Sequence, residues 1–282
     1  QYEKTDYINF IKYKKQNVEE ELKKTIDEFS PDIIFWSALS SHIHGEGEYV
    51  NIQYGYELLK NIDTKALLIT GGIQATASPQ KILQNYPNID FLISGESEFV
   101  LRDIADNFNQ KKEVIENLNG ISFFKNDKFV INKTQDLIKD LDTIPEYDYQ
   151  IFDDQVFYRP YNGKVVRAVD YEMSRGCIYT CSYCVETVIQ KYYGFHEITP
   201  RGALKQAKNY LRNKSAQRVY DELSQLSEKL KINLVRCQDT NFLTINHKLL
   251  NELRDKFLEK PINIKLYIET RPEGINEKSV KL

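Results

Sequence analysis

The stretch Met-Ser-Arg-Gly-Cys-Ile-Tyr-Thr-Cys-Ser-Tyr-Cys, residues 173–184, contains three of the four cysteines in this chain of 282 residues. Three residues lie between Cys177 and Cys181, and two lie between Cys181 and Cys184. One loop can therefore turn the three thiolates toward a single soft metal centre, as iron–sulfur clusters and zinc require. Three thiolates on a four-iron cluster would leave one iron without a protein ligand, and a substrate can bind to that iron.

Two other interpretations of the three cysteines stay open at this point. A zinc site would need a fourth ligand, such as Cys237 or a histidine. The thiols could also be unrelated small side chains of a buried core. The apolar run at residues 165–169 leads directly into the cysteines, as a buried strand that delivers a functional loop would.

Composition narrows the class of protein. Hydrophobic residues make up 41% of the chain and charged residues 28%, which is typical of a globular fold. The formal net charge of −3 gives no general attraction to nucleic acid or to an anionic membrane, so we expect neither as a partner. Because no signal-peptide or membrane-spanning pattern is visible, we expect a cytoplasmic protein, in a compartment where thiols stay reduced and can bind metal.

The first predicted domain covers residues 1–135. Continuous apolar runs at residues 33–36, 66–70 and 90–94 have the length of strands that are buried on both faces. Segments with helical spacing of apolar residues alternate with them. Alternating strands and helices predict the α/β class, here a Rossmann-like, doubly wound parallel sheet that binds ligands at the carboxyl ends of its strands.

Small or polar residues follow each of these three strands. Such residues let a large ligand approach the backbone, although glycines there can also serve only to close tight turns. The candidate binding residues are Ser37, Leu39, Gly71, Gly72, Gly95 and Glu96.

The second predicted domain covers residues 165–282, after a tyrosine-rich, acidic linker at residues 136–164. Its predicted strands are residues 165–171, 232–236 and 262–268, and helices are predicted to begin at Thr199 and Ser215. Repeated strand–helix units can curl into a barrel whose active site lies at the carboxyl ends of the strands. Polar side chains that follow the second and third strands are Asp239, Glu269 and Arg271.

The cysteine spacing, with Tyr183 directly before the last cysteine, resembles the signature of the radical S-adenosylmethionine (SAM) enzymes. The Ser37-x-Leu39 and Gly71-Gly72 elements resemble two of the three motifs of cobalamin-binding Rossmann domains. The third motif, Asp-x-His-x-x-Gly, does not occur in the chain. Taken as a whole, the sequence resembles a cobalamin-dependent radical SAM enzyme.

This resemblance implies a set of cofactors and site residues. A [4Fe-4S] cluster would bind to Cys177, Cys181 and Cys184, and cobalamin would bind at the strand ends of the first domain. Tyr183 would lie near the adenine of SAM, Asp239 or Glu269 would bind its ammonium group, and Arg271 its carboxylate. The family barrel has six strands, so the three predicted here imply that roughly 100 further residues of barrel follow Leu282.

The resemblance also implies the reaction. One electron from an external donor, such as flavodoxin or ferredoxin, would pass through the cluster to SAM, and the resulting 5′-deoxyadenosyl radical would abstract hydrogen from an unactivated carbon. Methylcobalamin would then supply a methyl group to a small-molecule or peptide substrate. Two alternatives are a non-methylating radical SAM enzyme that forms rings or oxidises its substrate, and a non-catalytic zinc-binding module.

Overall fold

The computed structural model describes residues 17–37, 48–109 and 112–281. These residues form two compact units. The first unit comprises residues 17–138 together with residues 182–196, and the second unit comprises residues 139–181 together with residues 197–281.

The first unit is built on a five-stranded sheet in which each strand lies next to the one that follows it in the chain. The first three strands are parallel, and the last two form an antiparallel hairpin. In chain order its elements are α1 (Val18–Phe29), β1 (Ile33–Ser37), α2 (Glu48–Lys60), β2 (Leu67–Gly71), α3 (Ile73–Ala77), α4 (Pro79–Asn85), β3 (Phe91–Ile93), α5 (Glu98–Asn107), α6 (Lys112–Glu116), β4 (Ile121–Lys125), β5 (Lys128–Ile131) and α7 (Glu186–Tyr192).

Helices cover both faces of this sheet, as continuous apolar strands require. Successive side chains of a strand point to opposite faces, so Phe91 and Ile93 pack with α5, whereas Leu92 packs with α2 and α4. The three predicted parallel strands are confirmed. Among the described strands the order runs in one direction from β1, so the reversal that defines a doubly wound sheet stays a prediction.

The elements of the second unit are β6 (Tyr158–Tyr161), β7 (Lys164–Tyr171), β8 (Ser174–Arg175), α8 (Ala207–Tyr210), β9 (Arg212–Asn213), α9 (Ala216–Lys229), β10 (Leu234–Cys237), α10 (His247–Glu259), β11 (Lys265–Tyr267) and α11 (Glu277–Val280). The unit is built on a four-stranded sheet with the order β11-β10-β7-β6. Strands β7, β10 and β11 are parallel, and β6 is an antiparallel edge strand.

The sequence predicted the three parallel strands of this unit and missed several of its shorter elements. The helix predicted to begin at Thr199 is wrong, because this segment forms a turn in which the Gly202 amide donates to the Thr199 carbonyl. Helix α7, directly after the cysteines, was not predicted. Its short apolar pattern is weak, and it is held mainly by contacts with the distant helix α3.

The two faces of the second sheet differ in chemistry. Val169, Tyr171 and Val235 pack against α9 and α10 in one apolar core. On the other face, the Asp170 carboxylate accepts hydrogen bonds from Arg159 and Arg236. The loops and polar side chains that follow these strands gather at the carboxyl ends of the strands, as in barrel enzymes. Within the described part of the chain, no helix has the length and apolar character needed to cross a membrane.

Candidate functional site

The cysteine loop, residues 173–184, begins two residues after β7. Its first part pairs with a later segment of the second unit, because β8 lies antiparallel to β9. Further along, the Thr180 amide donates to the Gly202 carbonyl at 3.1 Å, and the Leu204 amide donates to the Ile178 carbonyl at 2.8 Å. The backbone of the loop is therefore held by sheet-like bonds on both sides of Cys177.

Gly176 explains how the loop can pass so close to its neighbour. Its φ of +94° lies in the region that favours glycine, and a Cβ at this position would lie 2.9 Å from the Tyr210 carbonyl oxygen. Any larger residue would push the loop away from Tyr210 directly before Cys177. The sequence shows the glycine, but only the structure shows its partner.

All four cysteines of the chain are thiols, and the three of the loop differ in burial. Cys177 is buried, whereas Cys181 and Cys184 are half-buried. The Tyr179 amide points at the Cys177 sulfur with a nitrogen–sulfur distance of 3.5 Å, as amides do around thiolate ligands. Three thiols on one loop are a donor set that fits an iron–sulfur cluster.

The boundary between the two units falls inside the loop, after Cys181, so Cys184 is counted with the first unit. Among the residues that the structure describes, no three side chains of His, Cys, Asp or Glu are gathered closely enough to hold a metal ion. The side chain of Tyr183 is 88% exposed. Joint ligation by the three cysteines therefore stays a prediction from their spacing.

Cys237 lies in a different environment from the three loop cysteines. It is buried in the apolar core of the second unit, as a small apolar side chain would be. Burial raises the pKa of its thiol far above the usual range, with a smaller contribution from Asp239. A thiol that stays protonated is a poor zinc ligand, which weakens the case for Cys237 as the fourth ligand of a zinc site.

Asp239 connects the carboxyl end of β10 to the start of the cysteine loop. Its carboxylate accepts hydrogen bonds from the Met173 amide, at 3.2 and 3.3 Å to its two oxygens, and from the Ser174 hydroxyl. The residue is only 1% exposed, and burial raises its pKa to about 6 even though these hydrogen bonds act in the opposite direction. These contacts favour a role in holding the loop, and the role in binding the SAM ammonium stays a prediction.

Asn241 connects the carboxyl ends of β10 and β11, and the sequence did not single it out. Its buried side-chain oxygen accepts hydrogen bonds from the Thr270 hydroxyl at 2.7 Å and from the Arg271 amide at 3.3 Å. The Phe242 amide donates to the Glu269 carbonyl at 2.9 Å. The polar stretch after β10 was the available signal, but a polar side chain there does not show which strand it will contact.

Arg271 lies beside the cysteine loop. One terminal nitrogen, Nη1, is 3.1 Å from the Cys181 sulfur, and the guanidinium carbon lies 4.1 Å from the centre of the Tyr179 ring. Nε and Nη2 donate to the two carboxylate oxygens of Glu273. The structure thus brings one predicted SAM-binding residue into contact with one predicted cluster ligand.

The carboxyl ends of the first unit's parallel strands form a second candidate site. Ser37 and Gly71 are register partners on β1 and β2, so the structure brings these two predicted residues side by side. Gly72, with a φ of +99°, directly precedes α3. Leu39 lies outside the described residues.

The turn at Gly95 is covered by protein side chains. A Cβ on Gly95 would lie 2.2 Å from the Tyr193 hydroxyl oxygen, which in turn accepts a hydrogen bond from the Glu96 amide at 2.7 Å. Thr76, which the sequence did not indicate, connects two glycine turns: its hydroxyl donates to the Gly72 carbonyl and accepts from the Gly95 amide, both at 2.8 Å. Gly95 therefore has a packing role in its own unit.

Two polar groups complete this edge. The Glu96 carboxylate accepts a hydrogen bond from the Ile138 amide at 2.9 Å, so it anchors the end of the first unit. The Ser94 hydroxyl is buried and has no hydrogen-bond partner among the described residues. An unsatisfied hydroxyl beside Gly95 fits a polar ligand at this edge, such as the cobalamin predicted from sequence.

The sequence is similar to those of several known proteins. No family model matches the sequence. The chain is 28% identical over 275 residues to an anaerobic magnesium-protoporphyrin IX monomethyl ester cyclase of Cereibacter sphaeroides, covering 95% of this chain and 38% of that protein. It is 24% identical over 264 residues to an uncharacterized methyltransferase of Pyrococcus horikoshii, covering 93% of this chain and 50% of that protein. The chain spans half or less of the length of these relatives.

Solved structures give the same picture at the level of the fold. The radical SAM methyltransferase TsrM of Kitasatospora setae, solved with cobalamin and a [4Fe-4S] cluster bound, superposes with a TM-score of 0.64 at 18% identity, covering 95% of this chain and 49% of that one. The cobalamin-dependent SAM radical enzyme OxsB, solved with aqua-cobalamin and SAM bound, gives 0.61 at 19% identity, covering 93% and 33%. This chain therefore has an α/β fold that matches those of solved radical SAM enzymes.

We predict that Gly95→Ala destabilises the first unit more than Gly194→Ala does. Both residues have positive φ, so both variants carry a backbone strain of about 1–2 kcal/mol. Nothing lies within 4 Å of a Cβ at Gly194, whereas Gly95 is covered by Tyr193, which adds about 1–3 kcal/mol of overpacking. Urea unfolding of the full chain measures both; equal losses would contradict the packing role of Gly95.

We also predict a specific pH dependence for Asp239. Because its folded pKa of about 6 lies above the ordinary value of 3.8, the folded state binds more protons between these values. Its contribution to stability therefore falls as the pH rises from about 4 to about 6, by up to about 3 kcal/mol. Relative to Asp239→Asn, the wild type should lose stability across this window in urea unfolding.

Ser174→Ala provides the matched test of this assignment. The Ser174 hydroxyl lowers the pKa of Asp239, so its removal should move the fall in stability to higher pH. A difference between wild type and Asp239→Asn that does not change with pH would show that Asp239 does not titrate in this range.

Proposed function

We propose that this chain is part of a radical SAM enzyme whose [4Fe-4S] cluster is held by Cys177, Cys181 and Cys184. The observation that carries the proposal is the cysteine loop itself: three thiols within eight residues, beginning just after the first parallel strand of the second unit. The match to the fold of solved radical SAM enzymes supports it. When bound, the cluster would supply the electron for reductive cleavage of SAM.

Residues of the second unit would hold the first part of the cysteine loop. Pairing of the loop with residues 202–204 and 212–213 fixes its backbone, and the Asp239 carboxylate fixes its start. Tyr183 and Glu269 are proposed to contact SAM, as the resemblance of the sequence implies. The Tyr179 amide would stabilise negative charge on the Cys177 sulfur.

The finer proposal is a cobalamin-dependent methyltransferase that acts on an unactivated carbon. In this proposal cobalamin would lie at the strand ends of the first unit, near Ser37, Gly71 and Gly72, and would supply the methyl group. The buried Ser94 hydroxyl at this edge supports a polar ligand there. Two solved structures with a similar fold contain cobalamin, and one sequence relative is named a methyltransferase.

A second candidate is a radical SAM enzyme that forms a ring or oxidises its substrate without methylation. Sequence relatives in Cereibacter sphaeroides and Rubrivivax gelatinosus are named as cyclases, at 28% and 23% identity, which supports this candidate. The two reactions leave different products of SAM. A methyltransferase that uses SAM to restore methylcobalamin releases S-adenosylhomocysteine, whereas a non-methylating enzyme releases 5′-deoxyadenosine alone.

Partners and compartment follow from the same proposal. An external electron donor, such as flavodoxin or ferredoxin, would reduce the cluster, and the substrate would be a small molecule or a peptide. A reduced cluster needs a reducing compartment, so we place the protein in the cytoplasm. If the three cysteines instead held zinc in a non-catalytic module, anaerobically prepared protein would be colourless and contain one zinc per chain.

We predict that Cys181→Ala abolishes SAM cleavage and leaves cobalamin binding unchanged. With two thiolates the loop cannot hold a four-iron cluster firmly, whereas the first unit has its own core. The measurements are iron and sulfide content after anaerobic reconstitution and formation of 5′-deoxyadenosine. Cys237→Ala is the control, because this buried thiol should not contribute to cluster content; wild-type cleavage in Cys181→Ala would refute the cluster assignment.

A spectroscopic prediction tests the cobalamin site. The full chain, mixed anaerobically with hydroxocobalamin, freed of excess ligand and reduced, should retain cob(II)alamin. Because the chain contains no Asp-x-His-x-x-Gly motif, its electron paramagnetic resonance spectrum should lack the nitrogen splitting of an axial base. If no cobalamin is retained, the first unit would be a vestigial or substrate-binding Rossmann unit, and the non-methylating enzyme would become the leading candidate.

A further inference from the structure

We propose that Arg271 tunes the iron–sulfur cluster through the Cys181 sulfur, in place of the role in binding the SAM carboxylate that the sequence suggests. This inference rests on the proposed function, because it assigns Arg271 to the cluster that Cys181 would hold. It is a positioning and tuning role, because the guanidinium contacts the sulfur of a proposed cluster ligand.

The geometry around Arg271 is the first support. Nη1 lies 3.1 Å from the Cys181 sulfur, which is within hydrogen-bond distance for a sulfur acceptor. The guanidinium also stacks on Tyr179, a residue of the same loop, at 4.1 Å. Arg271, Cys181 and Tyr179 all belong to the second unit. Two independent contacts thus join this one side chain to the cysteine loop.

The hydrogen bonds of the guanidinium argue against carboxylate binding. Arginine recognises a carboxylate best through a fork of two parallel N–H groups. In Arg271 the fork formed by Nε and Nη2 is occupied by the two carboxylate oxygens of Glu273. The side that remains, at Nη1, points at Cys181. A SAM carboxylate would have to displace Glu273 from this fork, or compete with the Cys181 sulfur for the other edge, which Nη1 and Nη2 form.

The backbone of Arg271 is fixed as well. Its amide donates to the side-chain oxygen of the buried Asn241, which also accepts from Thr270. Asn241 therefore holds the backbone amide of Arg271. Glu273 holds the Nε and Nη2 atoms of the side chain, and the guanidinium plane stacks on the Tyr179 ring. A donor held in this way loses little conformational entropy when it hydrogen-bonds a sulfur.

Electrostatics gives the direction of the effect. Reduction of a cluster by one electron from an external donor adds one negative charge and breaks no bond to the protein. A cation and an N–H donor at a ligand sulfur stabilise the more negative state, and hydrogen bonds to sulfur are among the factors that set cluster potentials. Arg271 should therefore raise the reduction potential of the cluster and make it easier to reduce.

The test is a redox titration of the cluster in the absence of SAM. The full chain and the variants Arg271→Met, Arg271→Lys and Arg271→Gln are reconstituted anaerobically, and iron and sulfide are counted for each. Electron paramagnetic resonance then follows the reduced cluster as the potential is lowered with dithionite. Arg254→Met is the matched control, because Arg254 is an arginine of the same unit whose hydrogen bonds go to the neighbouring Asp255.

We expect the midpoint potential of Arg271→Met to move to more negative values, that of Arg271→Lys to move less, and that of Arg254→Met to stay at the wild-type value. If Arg271→Met fails to assemble a cluster, Arg271→Gln decides the question, since glutamine removes the charge and keeps an N–H donor. A glutamine variant with the wild-type potential would then overturn the inference.

Affinity for SAM separates the two roles of Arg271. Equilibrium dialysis with labelled SAM should give similar dissociation constants for wild type and Arg271→Met. An unchanged midpoint potential together with a tenfold or greater loss of SAM affinity would overturn the inference and return Arg271 to the SAM carboxylate, with the proposed function intact. A wild-type chain that assembles no four-iron cluster would overturn the proposed function, and this inference with it.

Discussion

The buried carboxylate of Asp239 is the interaction on which the geometry of the second unit's site depends. It follows β10, and its hydrogen bonds to Met173 and Ser174 connect this strand end to the start of the cysteine loop after β7. A carboxylate that is 1% exposed is costly to keep charged unless such donors satisfy it. The need for these partners therefore fixes the start of the loop at the end of β10, and the backbone pairing with residues 202–204 and 212–213 holds the rest.

A similar constraint shapes the strand ends of the first unit. Residues 182–196, which include the last three residues of the cysteine loop, belong to this unit. The Tyr193 hydroxyl occupies the space where any side chain on residue 95 would lie. The bare backbone of Gly95 is thus explained by a contact within the unit. The Ser94 hydroxyl at the same edge is buried and has no hydrogen-bond partner among the described residues.

The comparisons support the fold more strongly than they support any one reaction. Sequence relatives at comparable identity are named as cyclases and as a methyltransferase, and similar folds host different reactions. A shared fold therefore does not distinguish methyl transfer from ring formation.

The sequence by itself determined the features that arise locally. Cys177, Cys181 and Cys184 lie within eight residues of one another, and each parallel strand is a short apolar run. Both features can be recognised without tertiary information. Only the tertiary structure decided which polar side chains meet. Asp239 contacts Ser174 across 65 residues of sequence, and Arg271 contacts Cys181 across 90. Such pairings depend on how parallel strands are brought together through their connecting helices, and no periodicity in the sequence records which strand ends become neighbours.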